Sequence, residues 1–154
     1  MPAAQTVTPA YFHIRRAIRA AHRPSLVAMT EARRRTGRAA EEIVAASLIA
    51  AGWELVERNA RTRYGELDIV ALDGVDLVFV EVKAGREGAS FGPERPVHAI
   101  GPRKQRQVRR LATAWLAERR GCCPRYAEIR FDAIGVSFDR QGRVADVEHI
   151  EGAF

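Results

Sequence analysis

One short stretch restricts the fold of this chain more than any other: Leu77-Val78-Phe79-Val80-Glu81-Val82-Lys83. Its β-branched and aromatic residues favour a strand. Side chains on a strand alternate between faces, which puts Val78, Val80 and Val82 on one side and Leu77, Phe79, Glu81 and Lys83 on the other. An acid and an amine therefore point the same way from an otherwise apolar strand. Glu66 to Leu72 reads as a second strand, with Glu66, Asp68 and Val70 on one face and Leu67 and Ile69 on the other. Asp73-Gly74 supplies turn chemistry between the two, so an antiparallel hairpin is expected. If its register allows, Asp68 meets Glu81 and Lys83 on one face.

Around this hairpin the pattern predicts a layered α/β domain. A helix from about Arg38 to Ala51 is stopped by Gly52. On it Val44, Ser47, Leu48 and Ala51 share a face that Glu41 borders, while Glu42 points away to water. Trp53 to Arg58 alternates as a short strand. Gly85, Gly88, Gly92, Pro93, Pro96, Gly101 and Pro102 mark a long loop. A second helix from about Arg103 to Arg120 carries Val108, Leu111, Ala112, Trp115 and Leu116 at core spacing. Ile129 to Phe138 and Arg143 to Val147 read as closing strands around a turn at Asp139-Arg140-Gln141-Gly142. The expected order is α-β-β-β-α-β-β, a mixed sheet of about five strands flanked by two helices. Residues 1–36 form a basic extension and residues 37–154 the domain.

Charge is concentrated at the start of the chain. Of a net +6, eight arginines against the single Glu31 fall within the first 38 residues, leaving the remainder close to neutral. From Tyr11 to Arg23, Arg15, Arg16, Arg19 and Arg23 oppose Tyr11, Ile14, Ile18 and Ala21, the pattern of a basic amphipathic helix ended by Pro24. Such an arm suits a polyanion through counterion release, and a solvated arm without a partner fits the same composition. Domain-like patterning begins just after Met29, the sole internal methionine, so the natural start is expected either at Met1 or at Met29. The two cysteines, Cys122 and Cys123, are adjacent and have no metal-binding spacing, which fits a reducing compartment. No stretch approaches the roughly 18 apolar residues of a membrane span. A cytoplasmic protein without a membrane partner is expected.

Two carboxylates brought to one place repel unless a cation lies between them, and an oxygen-only pocket suits Mg²⁺ or Mn²⁺. With Asp68 and Glu81 as ligands, Lys83 to orient a water and Glu41 as a third acid, the set has the logic of phosphodiester hydrolysis. An acid-x-Lys pattern alone is weak, since charged strand ends are common. Its surroundings are more specific. Gly65-Glu66-Leu67-Asp68, followed by Leu77 to Lys83, resembles the centre of the YraN family of bacterial proteins. Gly37-Arg38-Ala39-Ala40-Glu41, Gly52, Asn59-Ala60-Arg61, Phe91-Gly92, Lys104, Arg130-Phe131-Asp132 and Ala153-Phe154 extend the resemblance over residues 37–154.

That resemblance implies a restriction-endonuclease-like, or PD-(D/E)XK, core related in pattern to archaeal Holliday-junction resolvases. Glu41 then matches a helix acid, Asp68 the strand aspartate, and Glu81 with Lys83 the paired acid and lysine. The metal ligands implied are Asp68, Glu81 and Glu41. Arg61, Arg86, Arg103 and Lys104 are candidates for holding a nucleic-acid backbone, although Arg86 comes one residue later than the family pattern places its arginine. Glu66 shares the Asp68 face as a turn or ion-pair residue. Asp132 beside Arg130 reads as a structural ion pair, the tryptophans read as core, and the histidines form no metal set.

Two functions follow from different classes. One is a Mg²⁺-dependent endonuclease acting on DNA ahead of RNA, including branched or processed intermediates. A duplex cut on both strands with one site per chain would call for a homodimer. The other is a nucleic-acid-binding or scaffold module that keeps the fold without turnover.

Overall fold

The computed structural model describes residues 32–87 and 95–154. The expectations for the basic helix at Tyr11–Arg23, for Met29 and for Phe91-Gly92 lie outside the described residues. The elements are α1 (Ala32–Ala50), β1 (Glu54–Thr62), β2 (Gly65–Asp73), β3 (Asp76–Arg86), a 3₁₀ turn (Pro96–Ala99), α2 (Pro102–Glu118), β4 (Ile129–Phe138) and β5 (Val144–Ile150). The strands form one mixed sheet in the order β1-β2-β3-β4-β5. Only β3 and β4 are parallel, because the connection between them crosses over through α2. This is the α/β arrangement, in the element order, read from the sequence.

Helix α1 starts earlier than Arg38, since the arginine-rich residues preceding it offer no apolar period to mark its first turns. It ends where Gly52 takes a left-handed φ of 93° and the N–H of Trp53 returns to the Leu48 carbonyl at 3.0 Å, a closure that favours glycine. Its inner face carries Ala40, Val44, Ala45 and Leu48, packed on Ile69, Ala71, Val78, Val80, Val82, Ile134 and Val136. Helix α2 opens on Pro102, which needs no donor there, and buries Val108, Leu111, Ala112 and Trp115 against Val70, Leu72, Leu77 and Phe79 on the other face. Both faces of β3 are thus covered, which explains its nearly uninterrupted apolar sequence.

The hairpin β2–β3 turns at Gly74 and Val75, with Asp73 opposite Asp76 and Gly74 at φ 61°. The stretch expected to be a loop after β3 contains the 3₁₀ turn, which lies tightly on the sheet. A Cβ on Gly135 would approach the backbone nitrogen of Val97 to 2.8 Å, and one on Gly85 the Pro96 ring to 2.5 Å. These two glycines let the chain pass close over β3 and β4 and enter α2 beside Glu81.

Candidate functional site

The site lies where two strands separate. β2 and β3 pair from Asp73↔Asp76 to Ile69↔Val80, and beyond that point the ladder stops. The next backbone donor on β3, the N–H of Val82, is taken by the side chain of Asp68, whose Oδ2 accepts at 2.8 Å. A carboxylate thus replaces a ladder carbonyl in the cleft between the parting strands.

Glu81 is almost completely buried, at 2 % exposure. Two amines meet its Oε1, Lys83 Nζ at 2.7 Å and Lys104 Nζ at 2.9 Å. Lys83 arrives by strand parity, two residues on. Lys104 arrives because it continues the inward stripe of α2 through Val108, Leu111 and Trp115, so its ammonium turns toward the sheet instead of the solvent. No described residue hydrogen-bonds Glu81 Oε2 or Asp68 Oδ1. Removal from water, and then the neighbouring charge of Glu81, raise the Asp68 carboxyl to about 7, against the opposing pull of the Val82 N–H and Lys104.

Glu41 comes from α1 on the other side of the sheet. Burial, followed by the charge of Glu66, raises its pKa, and Glu81 adds to the same effect. Asn59 Nδ2 lies 3.4 Å from Glu41 Oε2. Asn59, on β1 opposite Asp68, has a left-handed φ of 50°, and in the facing stretch of β2 the expected alternation breaks. From Ile69 to Leu72 the faces alternate as predicted, but Leu67 joins Val70 and Ala60 in the α2-side cluster instead of facing with Ile69. The grouping of Glu66, Asp68 and Val70 on one face is therefore corrected: Val70 packs beneath α2, whereas Glu66 acts on Glu41 of α1. The break falls within β2 between Leu67 and Ile69, at Asp68, whose side chain takes the Val82 N–H in place of a ladder carbonyl.

The structure therefore brings Asp68, Glu81, Lys83 and Lys104 into one cluster, with Glu41 at its edge. Among the described residues no three His, Cys, Asp or Glu side chains already stand at metal-cage spacing. The donor set is nonetheless two hard carboxylates, each with an oxygen that no described donor satisfies, which suits a cation that keeps several waters and takes one or two protein carboxylates. The remaining basic candidates lie apart from this cluster. Arg61 is 89 % exposed on β1 with its Nε 3.4 Å from Glu66 Oε2, Arg103 is exposed in the first turn of α2, and Arg86 is exposed at the end of β3.

A second polar cluster, which the sequence pattern did not announce, is buried on the α1 side of the sheet. Asp132 is wholly buried and accepts from Arg130 Nε at 2.9 Å and from the Gly152 N–H at 3.0 Å, while His149 Nε2 lies 2.8 Å from its Oδ2. Burial alone would raise the Asp132 carboxyl, but the bonds from His149 and Arg130 hold it below the usual range. The expected Arg130–Asp132 pair is present, and His149, set aside in the sequence as a scattered histidine, completes it. Trp53 and Trp115 are core residues as expected, at 4 % and 1 % exposure.

Fold and cluster together define a class: a five-stranded mixed sheet between two helices, with acids and lysines gathered where its central strands part. The chain belongs to the uncharacterised protein family UPF0102, whose model matches residues 40–136; this is the YraN family. It is 44 % identical over 126 residues to a UPF0102 protein of Moorella thermoacetica, covering 82 % of this chain and all of that protein. It is 49 % identical over 121 residues to one of Parafrankia sp. (78 % and 96 % covered) and 47 % identical over 126 residues to one of Syntrophotalea carbinolica (82 % and 96 % covered). No helix among the described residues is long and apolar enough to cross a membrane.

Proposed function

We propose that this protein is a divalent-metal-dependent phosphodiester hydrolase acting on nucleic acid, DNA ahead of RNA, with Asp68 and Glu81 sharing one Mg²⁺ or Mn²⁺. The observation that carries this reading is the cleft between β2 and β3, where two acids share one space and each keeps an oxygen without a protein donor. Carboxylates so placed repel, and a hard cation between them relieves the repulsion. Such a cation supplies Lewis acidity toward water and toward a phosphoryl oxygen.

The chain's own groups do the rest. Lys83, held 2.7 Å from Glu81, positions the attacking water and faces the charge that builds on the phosphate. Lys104 fixes the Glu81 carboxylate from α2. Glu41, raised by burial, holds a water at the edge of the site and exchanges a proton with it. A duplex cut on both strands calls for two such sites, hence a homodimer. A cytoplasmic setting agrees with the two adjacent free thiols, Cys122 and Cys123.

One observation favours the rival reading. Two lysines already neutralise Glu81 Oε1, as a non-catalytic nucleic-acid module that retained the fold would have them. A cleavage screen in Mn²⁺ over duplex, flap, junction and single-stranded substrates separates the two. The hydrolase cuts at least one of them and loses that activity in Asp68→Ala and in Lys83→Ala, both still folded. Unchanged activity in both variants, or no cleavage of any substrate, rejects the mechanism.

A further inference from the structure

We propose that Arg63, Tyr64 and Arg110 form a clamp for the phosphodiester backbone of a nucleic acid, extended along α2 by Arg103 and Arg106. The inference rests on the reading of nucleic acid as ligand, but not on turnover. It moves backbone binding away from Lys104, which is bound to Glu81, and from Arg61, which lies beside Glu66.

Tyr64 sits in the β1–β2 turn with 43 % of its surface exposed. The guanidinium carbon of Arg63 lies 4.7 Å from the centre of its ring and that of Arg110 lies 4.0 Å from it. Like charges gathered on one ring repel, and the ring's negative face offsets only part of that. Several arginines of the described chain meet acids: Arg95 meets Glu148, Arg119 meets Glu57, Arg130 meets Asp73 and Asp132, and Arg143 meets Asp139, while Arg109 stacks on the ring of Phe131. Among the described residues Arg63 and Arg110 have no such partner. Glu118, which accepts the backbone N–H of Arg63, pairs with the guanidinium of Arg119 instead. Two fixed guanidiniums without an acid match the two free oxygens of a phosphodiester.

The placement suits the cleft. Gly65 follows Tyr64 against Leu111 of α2, where a Cβ would lie only 3.4 Å from the Leu111 side chain, so the turn is seated on the helix. Arg103, Arg106 and Arg110 recur at helical spacing on the side of α2 opposite Val108 and Trp115, forming one exposed ridge. Tyr64 lies four residues before Asp68 on an extended chain, at most about 14 Å away. That is about four phosphates along a duplex axis.

The test is fluorescence-anisotropy binding in EDTA, with a labelled duplex and its single strand, across salt concentrations from about 50 to 200 mM. Arg110→Ala and Arg63→Ala should each make the slope of log K against log salt shallower by about 0.9 on duplex. Tyr64→Ala should weaken binding roughly as much as either, whereas Tyr64→Phe, which keeps the ring, should bind like the parent. Arg125→Ala removes an exposed charge from the segment before β4, where Ala127 meets Val75 of the β2–β3 turn, and serves as the control. Thermal melts establish that each variant is folded, and Asp68→Asn is assayed beside them. The clamp is overturned if Tyr64→Ala and Arg110→Ala bind no worse than Arg125→Ala. It is also overturned if neither polynucleotide binds, or if vesicles of anionic lipid bind in their place. Binding that depends on the clamp without any cleavage would leave the clamp standing and remove the hydrolase. Cleavage lost in Asp68→Asn with clamp variants unaffected would do the reverse.

Discussion

Replacing Asp68 by asparagine keeps its size and its acceptor for the Val82 N–H while removing the ability to ionise. In the folded protein this carboxyl titrates at about 7, against 3.8 for an unperturbed aspartate, because it is drawn from water beside Glu81. Below about pH 4 it is protonated in both the folded and the unfolded state, so its full stabilising contribution is present. Between about 4 and 7 the unfolded chain gives up the proton that the fold retains, so the wild type loses stability as pH rises. Above 7 the loss is complete. A difference of about three units at 1.36 kcal/mol each sets its size at no more than about 4 kcal/mol. At roughly 4 °C per kcal/mol for a domain of this size, that is up to about 16 °C in melting temperature. Asp68→Asn should therefore melt within a few degrees of the wild type at pH 4 and well above it at pH 8, in EDTA throughout. Scanning calorimetry across that range is the assay. Equal melting temperatures at pH 8, or the same gain at both pH values, would refute the reasoning.

Three further outcomes follow. Asp132→Ala leaves Arg130 and His149 without their buried partner and should cost about 3–5 kcal/mol in urea unfolding; a loss below about 1 kcal/mol would show that the cluster relaxes around the gap. Gly135→Ala pushes a methyl toward the Val97 backbone and should destabilise by about 1–3 kcal/mol, whereas Gly37→Ala, with open space around it, should not; similar melts for both would discount the close approach. Lys104→Met removes one of the two cations on Glu81 Oε1 and should tighten Mn²⁺ binding about fivefold, roughly 1 kcal/mol; unchanged or weaker affinity would mean that Lys104 does not compete with a metal there.

Much of this architecture was legible because the signals were local. The turn at Asp73-Gly74, the stop at Gly52 and the apolar spacing from Val108 to Trp115 each act over a few residues, and the structure follows them. Strand parity placed Lys83 beside Glu81 correctly, since β3 is regular throughout. The same rule failed for the grouping of Glu66 with Val70, because the alternation of β2 breaks between Leu67 and Ile69, where Asp68 gives its side chain to the Val82 N–H, and no residue type in that stretch signals the break. The stripe of α2 contained the signal for Lys104, four residues before Val108 on the buried side, but the arginines around it suggested a nucleic-acid contact instead of an ion pair with Glu81. His149 and the 3₁₀ turn on Gly135 were illegible for another reason. Their partners are distant in sequence, and no local pattern announces a contact between β4 and β5 or between Val97 and β4.

A divalent cation shared by Asp68 and Glu81 is measured directly by titration calorimetry with Mn²⁺. Wild-type protein should bind one equivalent, with binding lost in Asp68→Asn and in Glu81→Gln while both variants remain folded. Binding that persists in both variants, or no binding to the wild type, would contradict it.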